Sequence, residues 1–221
     1  MASDTVAAVG DCPEVAQVIV VTSDPVAGER LGALGAIVVP DILAPPSGDG
    51  GDGRDSGDGR DSGDSGQDGL NGALLHGAAV ASRRWPGTGL AALTADLPAL
   101  RPAELGTALR AAAEAAQAAA GAVGGAVGGA VGGAVGGAAF VPDAQGVGTT
   151  LYAAVPSGGF RPAFGGASRA RHAMAGAAEL ALDDVPGLRR DVDTPDDLRA
   201  AIALGAGFRT TALAAELFAD A

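Results

Sequence analysis

Leu90-Ala-Ala-Leu-Thr-Ala-Asp96-Leu-Pro98-Ala-Leu-Arg-Pro102 is the stretch that decides the fold. Leu90 to Ala95 is a short apolar run between turn residues, which fits a strand buried on both faces of a parallel sheet. Pro98 cannot donate to a ladder, so the strand ends near Asp96. Pro102 then suits the first turn of a helix, expected to run to about Ala120. Asp96 is thereby placed at the carboxyl end of a strand, where open α/β sheets hold their ligands. Taken alone, this segment favours an ordinary solvated Asp in a β-to-α turn.

Upstream, Thr5 to Val9 reads as the end of a helix. Val15 to Val21 is a β-branched run leading through Thr22-Ser23-Asp24 into a capped helix with Pro25 in its first turn. Gly35 stops that helix and Ala36 to Val39 reads as the next strand, so a parallel strand-helix-strand unit is expected. Downstream, Ala138 to Val141 and Leu151 to Val155 read as strands. Together these predict an α/β chain of one domain.

Two segments differ from the rest. Residues 47–69 carry GDGRDS twice in tandem, and residues 122–137 are four copies of Ala-Val-Gly-Gly within a low-complexity stretch from 121 to 137. Neither has the apolar pattern needed to join a core, so both read as inserts. Calcium binding by the Asp-rich insert is disfavoured, because the alternate Asp and closing Glu of an EF-hand loop are missing.

Composition excludes several classes. The 221 residues carry a formal net charge of -12, which opposes nonspecific nucleic-acid binding. All 14 basic residues are Arg, and the single cysteine, Cys12, makes no internal disulfide. No apolar run reaches the roughly 20 residues of a membrane span, and no secretory signal opens the chain. A cytoplasmic protein is the expectation.

Three further stretches carry candidate chemistry. Gly146-Val-Gly148-Thr149-Thr150 is a turn rich in backbone and hydroxyl donors, equipment for an anion. Phe164-Gly165-Gly166-Ala167-Ser168 precedes a helix carrying Arg169, Arg171 and His172; Ser168 reads as its cap and the Gly-preceded helix start suits an anion, with a plain capped helix and solvated arginines as the alternative. In Arg190-Asp191-Val192-Asp193-Thr194-Pro195-Asp196-Asp197, the last four residues are helix-start signals. Asp191 and Asp193 are left over, and paired carboxylates repel unless a cation lies between them. Asn71, after Leu70, reads as a helix cap, with contact to a base edge as the alternative.

LTADLPAL around Asp96, GVGTTLY, FGGASRARH and GLRRDVDTPDDL together resemble the phosphoenolpyruvate or 2-phospholactate guanylyltransferases of coenzyme F-420 biosynthesis, over roughly residues 5–45 and 68–207. The resemblance implies a three-layer α/β/α sandwich with a mostly parallel sheet, of the nucleotide-diphospho-sugar transferase type. It implies that GTP and a phospho-acid give the GMP-activated acid and pyrophosphate, with Mg²⁺ held by Asp96 and Asp191 and with Asp193 nearby. Thr149, Gly165 and Ser168 match positions that hold the phospho-acid, while Leu70 and Asn71 match a segment lining the nucleotide pocket. A downstream transferase of the same pathway is the implied partner. The Lys-free, Ala/Gly-rich composition resembles the family's actinobacterial branch, favouring phosphoenolpyruvate. The family pattern opens with a strand and a Lys- and Arg-bearing triphosphate loop that this chain does not match. The first strand is therefore expected to be missing, and a non-catalytic remnant that binds phospho-acid or a protein partner is the competing expectation.

Overall fold

Helices and strands alternate through the first eight elements; two successive strands and three closing helices then break the alternation. A computed structural model describes residues 1–41, 64–123, 137–155 and 159–219. The order is α1 (Ala2–Gly10), β1 (Ile19–Val21), α2 (Pro25–Gly32), β2 (Ile37–Val39), α3 (Asp64–Arg84), β3 (Leu90–Leu93) and α4 (Pro102–Val123). Then follow β4 (Ala138–Pro142), β5 (Thr149–Ala154), α5 (Ser168–Met174), β6 (Ala178–Glu179), α6 (Pro186–Arg189), α7 (Pro195–Leu204) and α8 (Phe208–Ala219). Expectations for residues 47–63 and 124–136 lie outside the described residues. Residues 64–69, read as the end of the insert, open α3 instead.

Local signals fix several boundaries. Asp24 caps α2, its carboxylate accepting from the Val26 and Ala27 N–H groups at 2.8 and 3.2 Å. Thr194 and Asp197 form a capping box at α7, and Gly205 ends that helix in the left-handed region at φ 94°. Two expected caps are not caps. Asn71 sits inside α3, and Ser168 is the first residue of α5 rather than the residue before it.

β1 and β2 pair in parallel, Ile19 opposite Ile37. The other strands form one sheet in the order β3-β5-β4-β6. Strand β5 runs against both of its neighbours, whereas β4 and β6 are parallel. In that sheet β3, β4 and β6 share one direction, and β5 alone is reversed. β5 and β4 are the strands buried on both faces. The expectation that Leu90–Ala95 is doubly buried does not hold: β3 pairs on one side only, and Ala91 is exposed.

Alternation along β4 and β5 builds the layers. Ala139, Val141, Leu151 and Ala153 face Leu105, Ala108 and Ala112 of α4, with Ala8 and Val9 of α1 behind. Ala138, Phe140, Tyr152 and Ala154 face the other way, toward Phe160, Phe164 and the α3 residues Leu74 and Ala78. Helix α3 also reaches the other sheet: a Cβ on Gly77 would come within 3.0 Å of Val21 Cγ2. No described helix is long and apolar enough to cross a membrane.

One close approach places the Asp191 segment. The buried Glu104 carboxylate accepts from Leu188 N–H at 2.9 Å, drawing α6 onto α4. A Cβ on Gly187 would overlap the Ala99 carbonyl and meet Glu104 Oε2 at 2.7 Å. Gly187→Ala is therefore expected to lower stability by about 1–3 kcal/mol through overpacking. Gly10→Ala, where an added Cβ meets nothing within 4 Å, should leave the melting temperature unchanged or slightly raised. Thermal melts of both variants beside the unaltered protein check the contrast.

Candidate active site

Sheet register brings two of the sequence-selected stretches to one end. Leu93 lies opposite Leu151 and Pro142 opposite Thr149. The β3 exit bearing Asp96, the β4 exit bearing Asp143 and the β5 entry at Thr149 are thus neighbours. Arg189 ties a third, the Asp191 stretch, to them. Its side chain donates to the Pro142 and Asp143 carbonyls at 3.2 and 3.0 Å, and its own carbonyl accepts from Ala144 N–H at 2.7 Å.

Asp143 shapes the turn between β4 and β5. Its buried carboxylate accepts from Val147 N–H at 2.9 Å and Gly148 N–H at 2.6 Å, an Asp-nucleated turn. Gly148 is required there, since a Cβ would lie 2.5 Å from Asp143 Oδ2. Arg169, expected to be solvated, donates to the Gly146 carbonyl at 2.9 Å and pairs with Glu179 at 2.8 Å.

The carboxylates crowd one another. Burial pushes the Asp191 carboxyl up from an ordinary 3.8 to about 6. Asp143, Asp96 and Asp193 add to that rise by like-charge repulsion, and a backbone hydrogen bond only partly opposes it. Asp96 Oδ1 is buried with no hydrogen-bond partner among the described residues. Hard oxygen donors, a buried orphan oxygen and mutual repulsion fit a divalent cation. Among the described residues no three His, Cys, Asp or Glu side chains form a preformed cage, so a cation here draws further ligands from water or substrate.

A group of donors gathers around residues 163–168. Arg171 donates to the carbonyls of Ala163 and Phe164 at 3.1 and 3.2 Å, and to that of Gly165. The Asn71 amide, in mid-helix, donates to the Phe164 carbonyl at 3.1 Å and accepts from Phe164 N–H at 2.8 Å. In a trans peptide the N–H points opposite to the C=O. Holding the Phe164 and Gly165 carbonyls therefore turns the Gly165 and Gly166 N–H groups away from Arg171. Neither finds an acceptor among the described residues. Both glycines lie at positive φ, 96° and 39°, which side-chain-bearing residues rarely adopt. The buried Ser168 and Thr149 hydroxyls belong to the same region, Thr149 lying 3.0 Å from the ring of His172.

The structure thus brings Asp96, Asp191 and Asp193 into one electrostatic group and sets Thr149 within 3.0 Å of the His172 ring. Leu70 stands exposed at the start of α3. Asp143, Arg171, Arg189 and His172 escaped sequence reading. Only Asp143 carried a usable signal, Pro-Asp-Ala-Gln-Gly, which marks an Asp-nucleated turn.

Carboxylates suited to a cation and donors suited to an anion, on an α/β fold, are the candidate site of an enzyme class that handles charged substrates. Comparison with curated proteins makes that class specific. The chain is 51% identical over 217 residues to the phosphoenolpyruvate guanylyltransferase of Thermomonospora curvata, covering 98% of this chain and 76% of that protein. It is 47% identical over 216 residues to the same-named protein of Streptomyces coelicolor, covering 98% and 81%. With that of Salinispora arenicola it shares 43% over 213 residues, covering 96% and 78%. No protein-family model matches. The chain belongs to the phosphoenolpyruvate guanylyltransferase family.

The raised Asp191 value carries a sign that can be tested. A carboxyl that holds its proton more tightly folded than unfolded contributes stability below pH 3.8, lost as pH rises through about 6. Asp191→Asn removes that loss. With a chelator present, the variant's melting temperature minus that of the unaltered protein should grow from pH 5 to pH 7.5. A difference that stays flat across that range would remove Asp191 from the crowded cluster.

Proposed function

We propose that this protein joins the GMP moiety of GTP to the phosphate of phosphoenolpyruvate and releases pyrophosphate, a step of coenzyme F-420 biosynthesis. The observation that carries the proposal is the carboxylate group of Asp96, Asp191 and Asp193 at the sheet end where Thr149 and the Gly165–Ser168 donors lie. Phosphoenolpyruvate is the acid for which the relatives are named. The balanced step has a phosphate oxygen of the acid form a bond to the α-phosphorus of GTP. The bond from that phosphorus to the β-bridging oxygen breaks, and its electron pair leaves with pyrophosphate.

Two polyanions must meet, so positioning and charge neutralisation dominate over covalent help. Asp96 and Asp191, with Asp193 beside them, would hold Mg²⁺, which when bound supplies Lewis-acid neutralisation of phosphate oxygens. The Thr149 and Ser168 hydroxyls and the Gly165 N–H hold the acid without adding protein charge. Asn71 fixes that lining from behind while Leu70 borders the nucleotide. No general base is needed, because a phosphate monoester is already ionised at neutral pH. The activated product would pass to a transferase that uses its phosphoanhydride.

The test is pyrophosphate release from GTP with phosphoenolpyruvate and 2-phospholactate in turn, Mg²⁺ present. Turnover with phosphoenolpyruvate is expected; turnover confined to 2-phospholactate overturns the substrate, and none with either overturns the reaction. Asp96→Asn and Asp191→Asn should each lower turnover by orders of magnitude with the fold retained, against ~0.5 kcal/mol or less of stability for an ordinary surface carboxylate. Thr149→Val loses a hydrogen bond to a charged group, worth ~1.5–3 kcal/mol. It should raise the KM for phosphoenolpyruvate and leave that for GTP little changed; the reverse pattern would put Thr149 in the nucleotide pocket.

A further inference from the structure

We infer that His172 is a positioning residue that turns the Thr149 hydroxyl proton away from the imidazole and toward an anionic oxygen of the acid substrate. The inference rests on the proposed reaction for the identity of that acid, but its geometric part stands alone. Backbone N–H of Ala163 meets His172 Nε2 at 2.8 Å. A backbone amide can only donate, so Nε2 must be the unprotonated nitrogen. In the neutral ring the proton then sits on Nδ1, 3.0 Å from Thr149 Oγ1. Thr149 accepts that proton, and its own O–H has to point away from the imidazole.

The surroundings keep the ring in this one state. His172 is 0% exposed. Its ring stacks on Tyr152 at 4.6 Å and 25°, with Phe140 at 5.6 Å and the edge of Phe164 at 5.5 Å. Burial, with the Arg171 charge nearby, pushes its pKa from 6.5 down to about 4. A cationic ring would need a second acceptor where the Ala163 N–H already points at it. A free threonine hydroxyl can rotate to donate or accept. Here the ring N–H takes one lone pair and keeps the hydroxyl proton off the imidazole, which favours donation to a carboxylate or phosphate oxygen. His172 touches no substrate in this scheme, and its effect passes entirely through one hydroxyl proton.

Two measurements test it. Ring ¹⁵N shifts of the unaltered protein at pH 7, with the His76→Gln variant assigning the signals, should show His172 as the Nδ1–H tautomer. The Nε2–H tautomer or a charged ring overturns the inference whatever the kinetics. The second is a double-mutant cycle read as KM for phosphoenolpyruvate. His172→Phe keeps an aromatic ring in the stack, and it and Thr149→Val should each raise that KM at least about 10-fold, with the KM for GTP unmoved. The double variant should match Thr149→Val alone, since removing the hydroxyl leaves His172 nothing to act on. Multiplying effects would make His172 a packing residue only. An Nδ1–H tautomer with Thr149→Val showing normal KM values overturns the inference through its premise, the acid-binding role of Thr149, and leaves the hydrogen-bond geometry standing.

Discussion

The site depends on one strand being reversed. β5 is hydrogen-bonded on both edges and buried on both faces, and it runs against β3 and β4 together. Two strands leaving the sheet and one entering it therefore meet at a single end. That alone sets the Asp96 exit beside the Asp143 turn and the Thr149 entry. Had β5 run parallel, its first residues would stand at the opposite end of the sheet. The aromatic core under α5 depends on the same strand: Tyr152, three residues past Thr149, stacks on the ring that faces the Thr149 hydroxyl.

The acidic cluster shows a fold giving up stability for a task. Asp191 is held among Asp143, Asp96 and Asp193 with its carboxyl pushed up to about 6. A packed core has no use for such an arrangement. Protonation of Asp191, or a positive charge set beside it, would relieve that repulsion. The donor side is arranged oppositely, with fixed peptide groups and hydroxyls in place of mobile charged side chains.

Much of the scaffold was legible. Pro25, Pro102 and Pro195 each open a helix, Asp24 and Thr194 each cap one, and the apolar runs at 90, 138 and 151 each form a strand. Periodicity and capping are local, so sequence carries them. What stayed hidden is set by partners far along the chain. Asn71 reads as a cap, yet its amide grips Phe164, 93 positions away. Ser168 reads as a cap too, but α5 starts one residue earlier than a side-chain cap allows, and its hydroxyl is buried. Arg169 and Arg171 lie in a polar helix start that would suit solvent; only the folded loops show the carbonyls they hold. Leu90–Leu93 carries the pattern of a doubly covered strand, and composition could not tell that it pairs on one side.

Arg171 has a consequence for how the site would sense charge. Its guanidinium stands on the carbonyl side of the peptides whose N–H ends belong to Gly165 and Gly166. A cation there deepens each peptide's dipole, drawing electron density toward the carbonyl and leaving the far hydrogen more positive. The arginine thus acts by induction, one peptide plane removed from whatever those hydrogens meet. A small ligand would meet directional, rigid positive edges rather than a long side chain free to swing toward water.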